Sequence, residues 1–199
     1  MVAGELDRLA DEVFGAAGCS ANETVGTVHL ARKILGRQAV RVVPRAQMQT
    51  TRGALMRFGD DEWRIFLRDD TPHNEVSHAV GHELAHWALR FTPHTEEVAD
   101  ALGAALVAPR HAFRKAVSLL GFNPPRLARA FCATETAMVL RHGEVHQECV
   151  AVRRPGLTYV RGPWAPKPEE IDALITRRRN VTVIKITDAP GRDAVILSA

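Results

Sequence analysis

The stretch Val80-Gly81-His82-Glu83-Leu84-Ala85-His86-Trp87 decides how the rest of this chain is interpreted. It contains His-Glu-x-x-His, and on a helix His82 and His86 lie on one face, four residues apart. Two neutral imidazoles at that spacing can bind one Zn²⁺, and Glu83 lies where a general base for an attacking water is needed. The stretch therefore predicts a helix with His82 and His86 as zinc ligands and Glu83 as the catalytic base.

The residues around the motif predict an amphipathic helix. Val76, Val80 and Leu84 form an apolar stripe, and the histidines form a second stripe about 200° away around the helix. One face can therefore enter a core while the other holds a metal ion. Thr71 and Pro72 precede the helix, and we expect Thr71 to cap it with Pro72 at its first position.

A second helix, from Glu96 to about Pro109, is predicted to supply the third zinc ligand. Catalytic zinc sites hold three protein ligands and leave the fourth position to water. Glu96 can provide the carboxylate, and Asp100, one turn further along the same face, can accept the free ring N–H of a ligand histidine. Gly103 continues that face, and its small size would let the two helices pack closely.

Two other residues compete with Glu96 for the third position. Glu97 points about 100° away around the helix and has no acidic residue four positions later. His94 does not match the His-rich metzincin pattern, which requires a histidine six residues after the motif. We therefore favour Glu96. An acidic start to a helix is also stabilised by the macrodipole alone, so a solvated role for Glu96 stays open.

Three segments together resemble the ImmA/IrrE-type zinc metallopeptidases: His82-Glu83-Leu84-Ala85-His86, Glu96-x-x-Ala99-Asp100 and Leu106-Val107-Ala108-Pro109. The resemblance implies a gluzincin-like site with Zn²⁺ in a zincin-like core. It also implies a regulatory protease whose partner is a helix-turn-helix repressor, cleaved in a stress or mobile-element response. In zincins generally, a strand upstream of the active helix lies beside the cleft, where an extended substrate can pair with it.

The segment from Leu127 to Arg141 is similar to the helix-turn-helix that follows the catalytic helices in this family. Thr134 is expected to cap its second helix. A recognition helix should aim donors at base edges from its N-terminal residues, but this helix begins with Glu135, which phosphate would repel. We therefore expect the helix pair to pack under the zincin core rather than to bind DNA directly.

The remaining pattern predicts an α+β chain of two parts. The first part, residues 1–145, would hold N-terminal helices, a small sheet, the active-site helix, the ligand helix and the helix-turn-helix-like segment 122–143. The second part, residues 146–199, would be a small α+β appendage. The predicted elements are helices Glu5–Ala17 and Ser20–Leu35, strand Ala39–Val43, hairpin Ala54–Phe58 with Trp63–Leu67, helix His111–Leu120, hairpin Cys149–Val152 with Leu157–Val160, connector Gly162–Pro168, helix Glu169–Arg179, and strands Val181–Thr187 and Ala194–Leu197.

Composition supports a globular protein of the cytoplasm. The chain has 199 residues, of which 46% are hydrophobic and 25% are charged, and a formal net charge of +3. That charge is too small to imply a nucleic-acid partner by itself. The 3 cysteines are odd in number and scattered, which favours a reducing compartment over a disulfide framework. Neither a signal peptide nor an apolar run long enough to span a membrane is expected.

Overall fold

The computed structural model of the protein describes residues 3–49, 51–154, 157–161, 167, 170–171, 173, 181–186 and 193–197. Helices and strands are mixed along these residues, so the fold is α+β as the sequence predicts. The helices are α1 Ala3–Ala16, α2 Thr27–Leu35, α3 His73–Ala88, α4 Glu96–Val107, α5 Arg110–Leu120, α6 Pro124–Phe131 and α7 Glu135–His146. The strands are β1 Val40–Val43, β2 Gly53–Phe58, β3 Glu62–Arg68, β4 Cys149–Arg154, β5 Leu157–Arg161, β6 Val181–Lys185 and β7 Asp193–Leu197.

The first sheet has the strand order β1-β3-β2, which places β3 at its centre. β3 pairs in parallel with β1 and antiparallel with β2, so the predicted hairpin is confirmed, with Leu55 opposite Ile65. Ile65 and Leu67 are buried, as expected for alternate residues that share the inner face of a strand. β2 is left as an edge strand, and it contacts α3.

α3 and α4 cross where each helix has a glycine. A Cβ atom on Gly103 would lie 2.9 Å from the backbone nitrogen of His82, and one on Gly81 would lie 3.0 Å from the carbonyl oxygen of Gly103. Real side chains do not approach backbone so closely, so the expectation that Gly103 allows close packing is confirmed. Val80 and Leu84 are fully buried in the same core as α1, α2 and the first sheet.

The predicted start of α2 is wrong, because the helix begins at Thr27 rather than at Ser20. The Ser20 Oγ accepts a hydrogen bond from the backbone nitrogen of Asn22 at 3.2 Å. Such local side-chain bonds compete with helical ones. Gly26, with φ −62° and ψ 136°, is extended and ends the irregular segment directly before the helix.

The predicted cap of α3 is also wrong by one position. α3 begins at His73, and Pro72 is its N-cap residue because its ψ of 141° is extended rather than helical. The first turn therefore has no side-chain cap, and Thr71 lies outside the capping position. The helix itself runs through the whole predicted motif to Ala88.

α6 and α7 form the helix pair that the sequence predicts. The Asn123 side chain caps α6 by accepting from Arg126 N, and Thr134 Oγ1 caps α7 by accepting from Ala137 N at 3.1 Å. Cys132, in the left-handed region with φ 49°, allows the turn between the helices. The apolar residues of α5, α6 and α7 share one buried cluster: Ala112, Phe113, Leu127, Ala128, Phe131, Met138 and Val145.

The second sheet has the strand order β5-β4-β7-β6, with antiparallel pairing throughout. The predicted hairpin of β4 and β5 is confirmed. Val139 of α7 packs with Val150, Val152 and Ile196 of the sheet. Most of the predicted connector Gly162–Pro168 and helix Glu169–Arg179 lies outside the described residues. The division of the chain after residue 145 stays a prediction. Within the described ranges, no helix combines the length and apolar composition that crossing a bilayer requires.

Candidate metal centre

Two helices bring the three predicted ligands to one point. α3 presents His82 and His86, whose Nε2 atoms lie 3.0 Å apart. The first residue of α4, Glu96, places its Oε2 atom 3.2 Å from His82 Nε2 and 3.4 Å from His86 Nε2. In the part of the chain that the structure describes, this is the one group of three such side chains whose ligand atoms all lie within 4.8 Å of one another.

The spacing of these three atoms fits a tetrahedral metal ion. Metal–ligand bonds of about 2.0–2.1 Å in a tetrahedron require ligand atoms about 3.3–3.4 Å apart. The observed separations of 3.0, 3.2 and 3.4 Å are close to that value. His82, His86 and Glu96 could therefore hold a metal ion, and three protein ligands leave a fourth position of the tetrahedron open.

Asp100 determines which nitrogen of His82 faces the centre. Its Oδ1 atom lies 2.8 Å from His82 Nδ1, and because a carboxylate only accepts, Nδ1–H is the donor. The Nε2 atom of the neutral ring then carries a lone pair aimed at Glu96 and His86. The same hydrogen bond raises the pKa of His82 above its ordinary value of 6.5, with burial opposing the shift. The sequence predicted this contact from the spacing of Glu96 and Asp100.

His94, which sequence analysis considered only as a competing ligand, contacts His86 instead. His94 Nε2 lies 2.9 Å from His86 Nδ1, and His94 Nδ1 lies 2.8 Å from the carbonyl oxygen of Thr92. Burial lowers the pKa of His86 below 6.5, and the neighbouring His82 acts in the same direction. The sequence offered one signal for this contact: a histidine in the short connection between the two ligand helices.

Glu83 lies beside the centre in a confined place. Only 8% of the residue is exposed, and a Cβ atom on Gly53 of β2 would lie 3.1 Å from its Oε1 atom. Burial raises the pKa of Glu83 above 4.5, while His82 and a backbone hydrogen bond from Leu55 oppose that shift. A buried carboxylate with a raised pKa can accept a proton readily, which suits a general base.

A cavity of about 230 Å³ opens next to Glu83. The start of β2 forms one wall and α3 the other, with His78 among the lining residues as its position one turn before His82 suggests. An ion pair between Arg52 and Glu75 joins the two walls. The lining residues are Thr51, Arg52, Gly53, Glu75, His78, Ala79, His82 and Glu83.

Arg141 of α7 is buried and is therefore not placed to contact a phosphate. Its side chain is 3% exposed, forms an ion pair with Asp7 of α1, and donates to the carbonyl oxygen of Ala108 at 2.8 Å. Glu144 lies 3.2 Å from the same guanidinium. Arg141 thus ties the helix pair to α1 and to the end of α4. Glu135, at the start of α7, is also buried, with 4% exposed.

Comparison with known proteins finds a likeness among solved structures. No protein-family profile matches the chain, and no curated protein does. Among solved structures, the chain is similar to a Mycobacterium tuberculosis transcriptional regulator with a TM-score of 0.63 and 16% sequence identity. The alignment covers 96% of this chain and 86% of that one. At this level of identity, the likeness shows a shared fold.

Proposed function

We propose that the protein is a zinc-dependent metalloendopeptidase, similar to the ImmA/IrrE-type regulatory proteases. The observation that carries the proposal is the convergence of His82, His86 and Glu96 beside the buried carboxylate of Glu83. Two imidazoles and one carboxylate in a tetrahedral arrangement with an open position suit Zn²⁺ in a catalytic role. In this proposal α1 to α4 and the first sheet form a zincin-like core.

In the proposed reaction, the protein's own groups position and move one proton. Bound zinc would polarise the scissile carbonyl and lower the pKa of a water molecule. Glu83 takes a proton from the attacking water and later delivers it to the leaving amine. Glu83 lies close to Gly53 and lines the same cavity as His82, so its carboxylate is held next to a proposed ligand. Asp100 holds the ring of His82 in the ligating orientation.

The sheet offers a place for an extended substrate. β3 is paired on both sides, whereas β2, among the residues that the structure describes, has one edge without a strand partner and begins at the cavity beside Glu83. A peptide in extended conformation could add to that edge by main-chain hydrogen bonds. From the resemblance, we propose that the peptide belongs to a helix-turn-helix repressor in a stress or mobile-element response, and that the protease acts in the cytoplasm.

Substitution of Glu83 by glutamine tests the proposal. The change keeps the size of the side chain and removes its ability to take a proton, so we expect the variant to fold and bind zinc normally. Cleavage of the repressor encoded by a neighbouring gene should fall by a factor of about 10²–10⁴, the usual contribution of general base catalysis. Substrate and product are separated by electrophoresis and the cut is located by mass spectrometry. Cleavage at the wild-type rate would disprove the role of Glu83.

A second candidate is a metal-binding transcriptional or protein-binding regulator without protease activity. Its support is the fold likeness to a transcriptional regulator and the helix pair α6 and α7. Under this hypothesis, zinc-loaded wild type leaves every candidate repressor intact, and Glu83→Gln has the same binding properties as wild type. Promoter DNA titrated at several salt concentrations would detect direct DNA binding by the slope of affinity against salt.

A further inference from the structure

We infer that His94 is a positioning residue that orients His86 toward the metal ion. The inference rests on the proposed zinc site and adds a residue that supports one of its ligands. The observation is a chain of two hydrogen bonds, from the carbonyl oxygen of Thr92 to His94 and from His94 to His86. His82 has its support from α4, through Asp100, whereas His86 has its support from the connection that precedes α4.

The carbonyl of Thr92 determines which atom donates and which accepts in each of these two hydrogen bonds. A carbonyl oxygen only accepts, so the proton of the neutral His94 ring is on Nδ1, which lies 2.8 Å from Thr92 O. His94 Nε2 then carries a lone pair and accepts from His86 Nδ1–H at 2.9 Å. His86 Nε2 is left with the lone pair that a metal ion needs. The backbone thus selects the ligating tautomer of His86 through a second imidazole.

The same contacts indicate that His94 is not itself a metal ligand. His94 uses both of its ring nitrogens in this chain, one toward Thr92 and one toward the Nδ1 side of His86. Nε2, the other nitrogen of the His86 ring, faces His82 and Glu96. His94 therefore supports the ring of His86 from behind and does not share the group of converging ligand atoms.

The short connection between the ligand helices explains how His94 reaches this position. α3 ends at Ala88, and the backbone turns at once, with the nitrogen of Thr92 bonded to the carbonyl oxygen of Leu89 at 2.7 Å. Thr95 occupies the N-cap position of the next helix in extended conformation, without a capping hydrogen bond from its side chain, and α4 starts at Glu96. The connection therefore holds His94 next to His86 and two residues before Glu96, the third proposed ligand.

Zinc affinity of matched variants tests the inference without any substrate. His94→Leu removes the acceptor for His86 Nδ1–H, whereas His94→Gln can supply an amide oxygen in its place. Loss of a partner that orients a ligand histidine weakens metal affinity by about 10–100-fold. We expect that loss for His94→Leu and a much smaller loss for His94→Gln. His29→Leu, at an exposed position of α2, is the control and should match wild type.

Affinities are measured by competition with a chromogenic chelator at one fixed pH, and the melting temperature of each metal-free variant is recorded. Equal zinc affinity of His94→Leu and wild type would overturn the inference and leave the proposed zinc site intact. X-ray absorption of the zinc-loaded wild type should count two imidazole ligands, and a count of three would also overturn it. If wild type binds no zinc, the proposed function and the inference both fail. Should His94→Leu fail to fold, His94→Asn replaces it, since that amide ends one bond short of His86.

Discussion

Replacing Gly103 by alanine tests whether the contact between α3 and α4 sets the geometry of the metal centre. The new Cβ atom would lie 2.9 Å from the backbone nitrogen and 3.0 Å from the Cα atom of His82. Ordinary contacts between such atoms are about 3.5–4.0 Å, so the two helices must separate by roughly 0.5–1 Å. Metal sites tolerate changes of only about 0.2 Å in ligand distance. The separation would move Glu96 on α4 away from His82 and His86 on α3.

Two free-energy terms of opposite sign determine the effect on stability. Overpacking of a close contact costs about 1–3 kcal/mol. Alanine is more favourable than glycine within a helix by about 0.5–1 kcal/mol, which offsets part of that cost. We expect Gly103→Ala to lower the free energy of unfolding of the metal-free protein by about 0.5–2 kcal/mol. For a chain of this size, the melting temperature would fall by about 1–8 °C.

Denaturant unfolding and zinc titration measure the two effects of Gly103→Ala separately. Zinc affinity should fall by at least about 10-fold, comparable to the loss of a supporting residue. Gly15→Ala is the matched control, because it also replaces a glycine in a helix and its Cβ atom would have no neighbour within 4 Å. A Gly103→Ala variant that is as stable as Gly15→Ala and binds zinc like wild type would refute the reasoning.

Glu96→Ala should release zinc to a mild chelator, Asp100→Ala should weaken zinc affinity by about 10–100-fold, and Glu97→Ala should change it little. Zinc content after dialysis against graded chelator concentrations checks this order. The order would be contradicted if Glu96→Ala retained zinc at chelator concentrations that remove it from the other two variants. Burial, with a further effect of His146, lowers the pKa of His142 from 6.5 to about 4. His142 therefore binds a proton more tightly in the unfolded chain than in the folded protein. As the pH falls from above 6.5 to 4, protonation favours the unfolded state, and the free energy of unfolding of the metal-free protein should fall by about 3 kcal/mol. His142→Gln should lose that part of the pH dependence, and an unchanged slope would contradict the assignment.

The sequence predicted the features that depend on local spacing. The stripe of Val80 and Leu84 is buried as the helical period requires, and Thr134 caps its helix. The pairing of β2 with β3 follows from alternation around a turn. The prediction failed at the start of α2, where the hydrogen bond of Ser20 with its neighbour favours irregular backbone over helix. Such competition depends on small free-energy differences that hydrophobic periodicity does not report.

The contacts between distant residues required the tertiary structure. Asp7 and Arg141 form a buried ion pair across 134 positions, and nothing in the spacing of either residue indicates its partner. Because the Arg141 side chain is buried in this pair, it is not placed to donate to DNA. The approach of Gly53 to Glu83 depends on how the first sheet packs against α3, which is a property of the whole core.

The local sequence was sufficient to place His82, Glu83 and His86 on one helix and to propose Glu96 with Asp100 on the next, because the helical period determines which side chains share a face. It could not determine the role of His94, which lies in a connection where no period applies. That role depends on the direction of the Thr92 carbonyl and on the distance between α3 and α4. The sequence by itself thus determined which residues could be ligands. Tertiary packing decided how close they come and which neighbour orients each ring, because those quantities depend on contacts between separate elements.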